Sequence, residues 1–466
     1  MSPHVILVVP GEEVPSPLRL EDKFPFPLEN LGVAYLAASL ERAGFCASIV
    51  DGYAARWNVR QTAERVCALL GEKTVLGISV LQATAEQARK LARLVRAKGF
   101  AGPIVLGGWA ATMSAAELLA FVPDSDLAVR GEAEDVFPVV VAALLAGETP
   151  SVQGVVLREG AGVKLCGEPP RARFEGALLR HDAFAVQGLA RRGSFPVQGS
   201  RGCAWGLCSF CSTAGRYGAK AWRMRGVDSL LEELAHPAVA HDRHPVFFVD
   251  DEFFGPCEEG FARADALAER LCSERRSLEF GLDCLVQSFE PRRFERLREA
   301  GLRRVFLGLE SGSQASLKIF RKGFSVTRAR EVLASLAQLG IDVISGYILF
   351  QPYMSLADVR TGVDFLADDL AHDGNPGKFL SRLHPEAGTE LFGRLQRDGL
   401  LTGSFPDWGF RFADPRVGKL YGALEAETAE LCAEYVRRRV AMEGPTRSLT
   451  QDFLRRFESH WQRAGE

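Results

Sequence analysis

The chain lacks what a membrane protein, a disulfide scaffold or a nucleic-acid binder needs. Its most apolar stretch after the start, Val136 to Gly147, falls well short of the roughly 20 residues of a spanning helix. Lys and Arg number 56 against 59 Asp and Glu, so no basic excess points to nucleic acid or an anionic membrane surface. Met1 to Gly11 runs straight into VILVVP, with no basic segment or cleavage pattern of a targeting signal. Repeats and low-complexity tracts are missing too. What remains is a globular composition, 47% hydrophobic and 25% charged. The expectation is a cytoplasmic protein of two or three domains, at about 150 residues per domain.

Strand and helix signals alternate over residues 1–150. Apolar runs predict strands at Val5–Pro10, Ala47–Asp51, Val75–Val80, Ile104–Gly108 and Leu127–Gly131. Helical spacing predicts helices at Leu31–Ala43, Thr62–Leu70, Ala83–Lys98, Ala115–Phe121 and Val136–Ala146. Short continuous apolar strands between helices imply an α/β fold with a parallel sheet covered on both faces. Ligands of such sheets bind beyond the carboxyl ends of the strands. Residues 151–190 read as a hairpin (Val155–Leu157, Val163–Leu165) and a linker through Pro169-Pro170.

A second βα series fills residues 191–395. Strands are expected at Pro196–Gly199, Val246–Asp250, Glu279–Cys284, Val305–Leu309, Val343–Phe350 and Phe379–Leu383. Helices are expected near Ser229–Ala235, Ala262–Cys272, Pro291–Ala300, Thr327–Leu339 and Leu356–Leu366. Six such units suggest a partial (βα)6 barrel with its site at the strand ends. Residues 396–466 read as a helical region, with Leu420–Met442 strongly periodic.

Ten cysteines in so long a chain make no disulfide framework. Seven lie singly and read as small buried hydrophobes, although Cys284, at a strand end facing the presumed site, is also a candidate contact for substrate or cluster. The other three, Cys203, Cys208 and Cys211, share one loop after a strand. Three soft thiolates on one loop suit an iron–sulfur cubane and leave its fourth iron open. Zinc is the rival reading, but it needs a fourth ligand, and the nearest histidines, His181 and His236, are far off along the chain.

With its flanks Arg201-Gly202 and Phe210, this loop resembles that of the radical S-adenosylmethionine (SAM) superfamily. The resemblance covers nearly all of residues 1–395. The usual spacing is CxxxCxxC, and this chain has CxxxxCxxC. Other landmarks follow in family order: Val249-Asp250-Asp251-Glu252-Phe253, Gly308-Leu309-Glu310-Ser311-Gly312-Ser313, Gly346 to Pro352, and His384 to Thr389. The resemblance implies a [4Fe–4S] cluster on the three cysteines. It implies SAM contacts at Phe210, Asp251, Glu252, Glu310 and Ser311, and an external flavodoxin- or ferredoxin-like electron donor.

The first domain resembles the cobalamin-binding domain fused to many radical enzymes, through Pro27-Leu28-Glu29-Asn30-Leu31-Gly32, Gly77 to Val80, Gly107-Gly108 and Arg130 to Glu134. Ser79, Gln82, Gly107, Gly108, Gly131 and Glu132 are the implied cobalamin contacts, the glycines letting the cofactor approach the backbone. The ligating signature DxHxxG is missing, since Asp51-Gly52-Tyr53 has no histidine nearby. Either the corrin binds without a histidine ligand, or the domain is a vestigial Rossmann-like fold without corrin. Trp109 is a further candidate for a ligand contact.

The domain order implies an enzyme that methylates an unactivated carbon of a small-molecule, secondary-metabolite substrate, through a 5′-deoxyadenosyl radical and methylcobalamin. Cyclisation, rearrangement or aminocarboxypropyl transfer is the alternative, and a non-catalytic cobalamin or redox sensor the remote one. Methylthiotransferases share the core but carry three more cysteines in their first domain. No catalytic side chain is singled out. The last helices, with Phe405–Phe412, are expected to close over the substrate.

Overall fold

The computed structural model describes residues 4–11, 29–160, 162–174, 179, 181, 194–240, 244–255, 257–370, 375–441 and 447–464. Pro27, Leu28, Met442 and most of 175–193 lie outside the described residues.

The first sheet has seven strands in the order β2-β1-β3-β4-β5-β6-β7. Its parallel part is β1 (His4–Val9), β2 (Cys46–Asp51), β3 (Thr74–Ser79), β4 (Ile104–Gly107) and β5 (Leu127–Val129). Along β1, Ile6 and Val8 face one apolar core while Val5, Leu7 and Val9 face another. Two buried faces explain why the strand reads as an unbroken apolar run rather than an alternation. The helix Leu31–Arg42 starts on Asn30, whose side chain accepts from Val33 N at 3.3 Å.

The expected hairpin is not a free connection. Its strands β6 (Val155–Glu159) and β7 (Gly162–Cys166) add antiparallel to β5 and extend the first sheet. Val155 and Val156 are buried, so pairing with β5 removes their apolar surface from water.

The second sheet is parallel throughout, in the order β14-β13-β12-β11-β8. Its strands are β8 (Phe195–Val197), β11 (Val246–Phe248), β12 (Phe280–Cys284), β13 (Leu302–Glu310) and β14 (Asp342–Tyr347). Phe195, Phe248, Phe280, Leu282, Val305 and Leu307 point outward into the core beneath the helices. A short antiparallel pair, β9 (Ser200–Gly202) and β10 (Trp222–Met224), flanks the cysteine loop.

The sixth expected strand is reduced to one bridge, Phe350 to Arg382. Pro376 starts a 3₁₀ turn over Pro376–Leu380, and the Ser381 hydroxyl and carbonyl accept from Leu349 N and Phe350 N at 3.0 and 2.9 Å. Strand-like sequence there is spent on a turn and three bonds, the third from Leu383 N to the Phe350 carbonyl at 2.9 Å. After it comes a hairpin that was not expected, β15 (Leu401–Ser404) with β16 (Asp407–Phe410).

Among the described residues, the terminal helices Pro415–Ala441 and Arg447–Ala464 contribute nothing to the cavity at the strand ends. They cover the 3₁₀ turn and the helix Leu356–Phe365, with Phe379 stacked on Phe453 at 5.0 Å and Arg360 paired with Glu458 at 2.7 Å. Phe405 of the hairpin instead docks on the first domain against Phe121 at 5.6 Å. Among the described residues, no helix is long and apolar enough to cross a membrane.

Candidate functional site

A cavity of about 540 Å³ opens between the carboxyl ends of both sheets, where α/β folds bind their ligands. Its first-domain side is a slot lined by Leu7, Gly77, Val105, Val129 and Phe137, with Ser79, Gly107, Gly108 and Trp109 at the mouth. Its barrel side carries Gln198, Arg201, Arg216, Asp250, Asp251 and Asp283.

The first-domain side fits a corrin with a nucleotide tail. The slot is apolar, and no histidine lines it among the described residues. At Gly107, in extended backbone, an added Cβ would meet nothing within 4 Å, so the missing side chain leaves open space facing the cavity. Gly131 has another reason: its φ is +76°, and a Cβ would lie 2.7 Å from the Pro170 carbonyl. That glycine permits a chain crossing, and it also lines the cavity. Asp51 stands where the ligating signature would begin, but it is buried and accepts from Asn30 N at 3.2 Å and Ala54 N at 2.9 Å. Burial, partly offset by these N–H groups, pushes its carboxyl up to about 6.

Two expected cobalamin contacts are engaged elsewhere. Gln82 does not line the cavity; its amide reaches His384 Nε2 at 2.9 Å and donates to the Pro406 carbonyl at 3.0 Å. It ties the first domain to the hairpin. Glu132 lines the cavity, yet its carboxylate is taken by Arg201 at 3.1 Å, by Arg223, and by Ala172 N at 2.9 Å. Arg201 also pairs with Glu134 at 2.6 Å and stacks on Tyr35 and Phe174. This buried network joins the first domain to β9, whose end begins the cysteine loop.

The loop from Cys203 to Cys211 is held at several points. Ser209 donates from N to the Phe320 carbonyl at 3.1 Å and from Oγ to the Ile319 carbonyl at 2.7 Å. Trp205 Nε1 donates to the Arg321 carbonyl at 2.8 Å. All three thiols are half-buried, and the Cys211 thiol contacts Thr213 Oγ1 at 3.2 Å. Burial pushes the Cys203 and Cys208 thiols up to about 11. Opposing it are the N–H groups of Gly206 and Trp205 at Cys203, and Lys322 at Cys208. Such donors and a buried cation suit thiolates that carry iron. Among the described residues no group of three or more His, Cys, Asp or Glu side chains, the three cysteines included, is gathered closely enough to hold a single ion.

The expected SAM contacts are spread around this loop. Glu310 ends β13 beyond a register shift, at φ +65°, and the irregularity turns its carboxylate toward Lys322 Nζ at 3.2 Å. Lys322 is buried, and Glu310 and the neighbouring thiols outweigh that burial and raise its pKa. Phe210 packs edge-on to Phe320 at 5.0 Å, with Lys322 above its ring. Asp251 faces the cavity and pairs with Arg216 at 3.0 Å.

Glu252 and Ser311 are occupied internally. Glu252 is fully buried, accepting from Ser288 Oγ at 2.8 Å, Phe254 N at 3.1 Å and Gly255 N; burial pushes it up to about 7. Ser311 Oγ accepts from Ser313 N at 3.1 Å. Asp250 accepts from Gly199 N and Ser200 N, both at 2.7 Å, and burial pushes it up to about 8.

All ten cysteines are free. Cys284 points into the outer core rather than the site. Cys46, Cys257 and Cys272 are exposed, contrary to their reading as buried hydrophobes; Cys46 opens an edge strand and Cys272 ends a helix. Lys322, Arg216, Gln198 and Asp283 are site residues that the sequence did not single out.

Residues 20–141 match the B12 binding domain family, and residues 197–366 match the Radical SAM superfamily. An uncharacterized methyltransferase of Pyrococcus horikoshii is 25% identical over 345 residues, which is 72% of this chain and 72% of that protein. The anaerobic magnesium-protoporphyrin IX monomethyl ester cyclase of Cereibacter sphaeroides is 25% identical over 340 residues, 68% of this chain and 53% of the cyclase. In fold, the chain is similar to the cobalamin-dependent S-adenosylmethionine radical enzyme OxsB. The TM-score is 0.77 at 18% identity, covering 99% of this chain and 72% of that one.

Proposed function

We propose that this chain, which belongs to the cobalamin-dependent radical SAM enzymes, methylates an unactivated carbon of a small secondary-metabolite precursor. The observation that carries the proposal is the single cavity bounded by an apolar slot on one side and by the polar strand ends beside the cysteine loop on the other. When bound, the cluster with SAM supplies radical generation and the corrin supplies a methyl carrier.

The chain's own residues then have separable tasks. Cys203, Cys208 and Cys211 hold three irons and leave one vertex free. Glu310 is favoured as a SAM contact because it sits by the same thiols with Lys322 as its counter-charge. Ser79, Gly107 and Gly108 line the place for the corrin. The Glu132–Arg201–Glu134 network sets the first domain against the cysteine loop and keeps water from the seam. An external flavodoxin- or ferredoxin-like donor supplies the electrons.

Anaerobic reconstitution with iron, sulfide and hydroxocobalamin, read by optical and EPR spectra with SAM, tests the cofactor set. A product heavier by one CH2 supports methylation. Turnover with intact cluster and no cobalamin sinks it. The similarity to a cyclase favours a second reading, cyclisation, which a product without added carbon would support.

A further inference from the structure

The cysteine loop approaches the outer surface of the protein through Trp205 and Gly206. The backbone of Lys220 presses on Gly206 and leaves no room there for a Cβ. Trp205, half-buried, donates from Nε1 to the Arg321 carbonyl at 2.8 Å. Its ring lies against Gly323, where a Cβ would collide with it. Gly323 also lines an open hollow of about 370 Å³, together with Leu317, Lys318, Arg321 and Phe324. The hollow and the cysteine loop are thus joined by Gly323 and one indole ring, which itself belongs to the loop.

The face around this hollow is positive. Lys220, Lys318 and Arg321 are exposed. Arg321 pairs with Glu390, whereas Lys220 and Lys318 meet no carboxylate among the described residues. The chain as a whole carries a net charge of −3, so it repels an acidic partner except where cations gather locally. Such a patch steers the partner to one place and one orientation.

An electron bound for the cluster needs an entry that SAM and the corrin do not fill. The cavity at the strand ends is theirs, and the hollow lies outside it, with a different set of lining residues. Transfer slows steeply with distance, which favours a donor held against the loop itself. Complexes of electron carriers are small, typically below about 1,200 Å² of buried surface, and depend on charge for their encounter. A flavin edge is flat and apolar and suits a hollow that offers Leu317 and Phe324 inside a cationic rim.

We infer that Lys220, Lys318, Arg321 and the hollow beside Trp205 form the docking face for an acidic, flavodoxin-type electron carrier. One electron passes from the carrier's anionic flavin hydroquinone to the cluster on Cys203, Cys208 and Cys211. The flavin is left as the neutral semiquinone, the cluster is reduced by one equivalent, and no proton moves. The inference rests on the cluster reading above and names the surface and the partner that serve it.

Two measurements on the full chain, reconstituted with iron and sulfide, test this against a recombinant acidic flavodoxin. One is stopped-flow reduction of the cluster absorbance by the flavodoxin hydroquinone. The other is binding of oxidised flavodoxin, which involves no turnover. At low salt, Lys220→Glu combined with Lys318→Glu is expected to slow reduction and weaken binding by roughly tenfold or more, and to flatten the salt dependence of both. Reduction by photoreduced deazaflavin, a small neutral donor, should match the parent, as should iron content and melting temperature. Lys98→Glu combined with Lys419→Glu changes the net charge equally at positions that line neither the hollow nor the cavity. It should have less than about a twofold effect. Unchanged flavodoxin kinetics in the first double variant overturn the inference, as does an equal loss in the second or an equal loss with deazaflavin. A parent reduced by an acidic ferredoxin and not by flavodoxin overturns the choice of carrier. A parent that takes up no iron removes the cluster reading itself, before any carrier is added.

Discussion

The two sides of the interdomain cavity are built for different kinds of recognition. The first-domain side sets an apolar slot, Leu7, Val105, Val129 and Phe137 around glycines, beside Asn30, Ser79, Thr112 and the carboxylates of Glu29, Glu132 and Glu134. No histidine lines it among the described residues. The barrel side is nearly all charge: Arg201, Arg216, Asp250, Asp251 and Asp283 at strand ends or just beyond. Shape selects a large rigid cofactor through excluded volume and buried apolar area. Charge orients small polar groups, and it is costly unless each buried ion is paired or hydrogen-bonded. Damage to the first side should therefore impair one cofactor and spare the other, whereas damage to the second should reach the chemistry at once.

The sharpest contrast comes from two substitutions. Cys203→Ala should abolish both the cluster absorbance and turnover, because a cubane deprived of one of three thiolates loses its anchor; retained iron and activity would break the comparison. Gly107→Val comes next. Its backbone is extended and a Cβ there meets nothing, so the fold should tolerate it. The added methyls enter the cavity mouth, and cobalamin affinity should fall by an order of magnitude or more. Iron content and melting temperature should not change. If they fall with the corrin, the sides are not separable.

A third test probes the seam. His181 lies between Glu29 at 2.8 Å and Glu233 at 3.4 Å. Burial disfavours its charge, but the two carboxylates outweigh burial and push its pKa up to about 9. Below the unfolded value of 6.5 both states hold the proton, and the stabilisation is complete. Between 6.5 and 9 the unfolded chain releases its proton first, so stability falls as pH rises, by at most roughly 3 kcal/mol. Denaturant titrations across that window should show the decline, and His181→Gln should flatten it. An unchanged slope in the variant would remove His181 as the cause.

The smallest effect concerns Gln82. Gln82→Ala should cost about 1 kcal/mol of stability or less through the lost hairpin tie and leave cobalamin affinity unaltered. A clear loss of affinity would restore it to the cofactor site.

These contrasts also separate what could be read in the sequence from what could not. The inner parallel strands of the first sheet, β1, β3, β4 and β5, were legible because each is buried on both faces and written as an apolar run. The hairpin's partner was not, because nothing in Val155–Leu157 names β5 as its neighbour. Phe379–Leu383 has the composition of a strand, but a proline and a serine hydroxyl turn it into a 3₁₀ turn and one bridge. Gln82 lies close in sequence to cavity residues and faces other partners, and Glu132 lines the cavity with its carboxylate already taken by arginines. Lys322 and Arg216 carry no motif that their spacing reveals, since each gains its role from residues at other strand ends.

The sequence by itself determined that three thiols share one loop, because Cys203, Cys208 and Cys211 fall within nine residues. It also determined the parallel-sheet class, because apolar periodicity follows from burial of local segments. Only the tertiary structure decided which charged side chains meet the cavity and which close the seam. A carboxylate at a strand end is equally able to bind a ligand or a neighbouring arginine, and long-range packing determines which one it reaches.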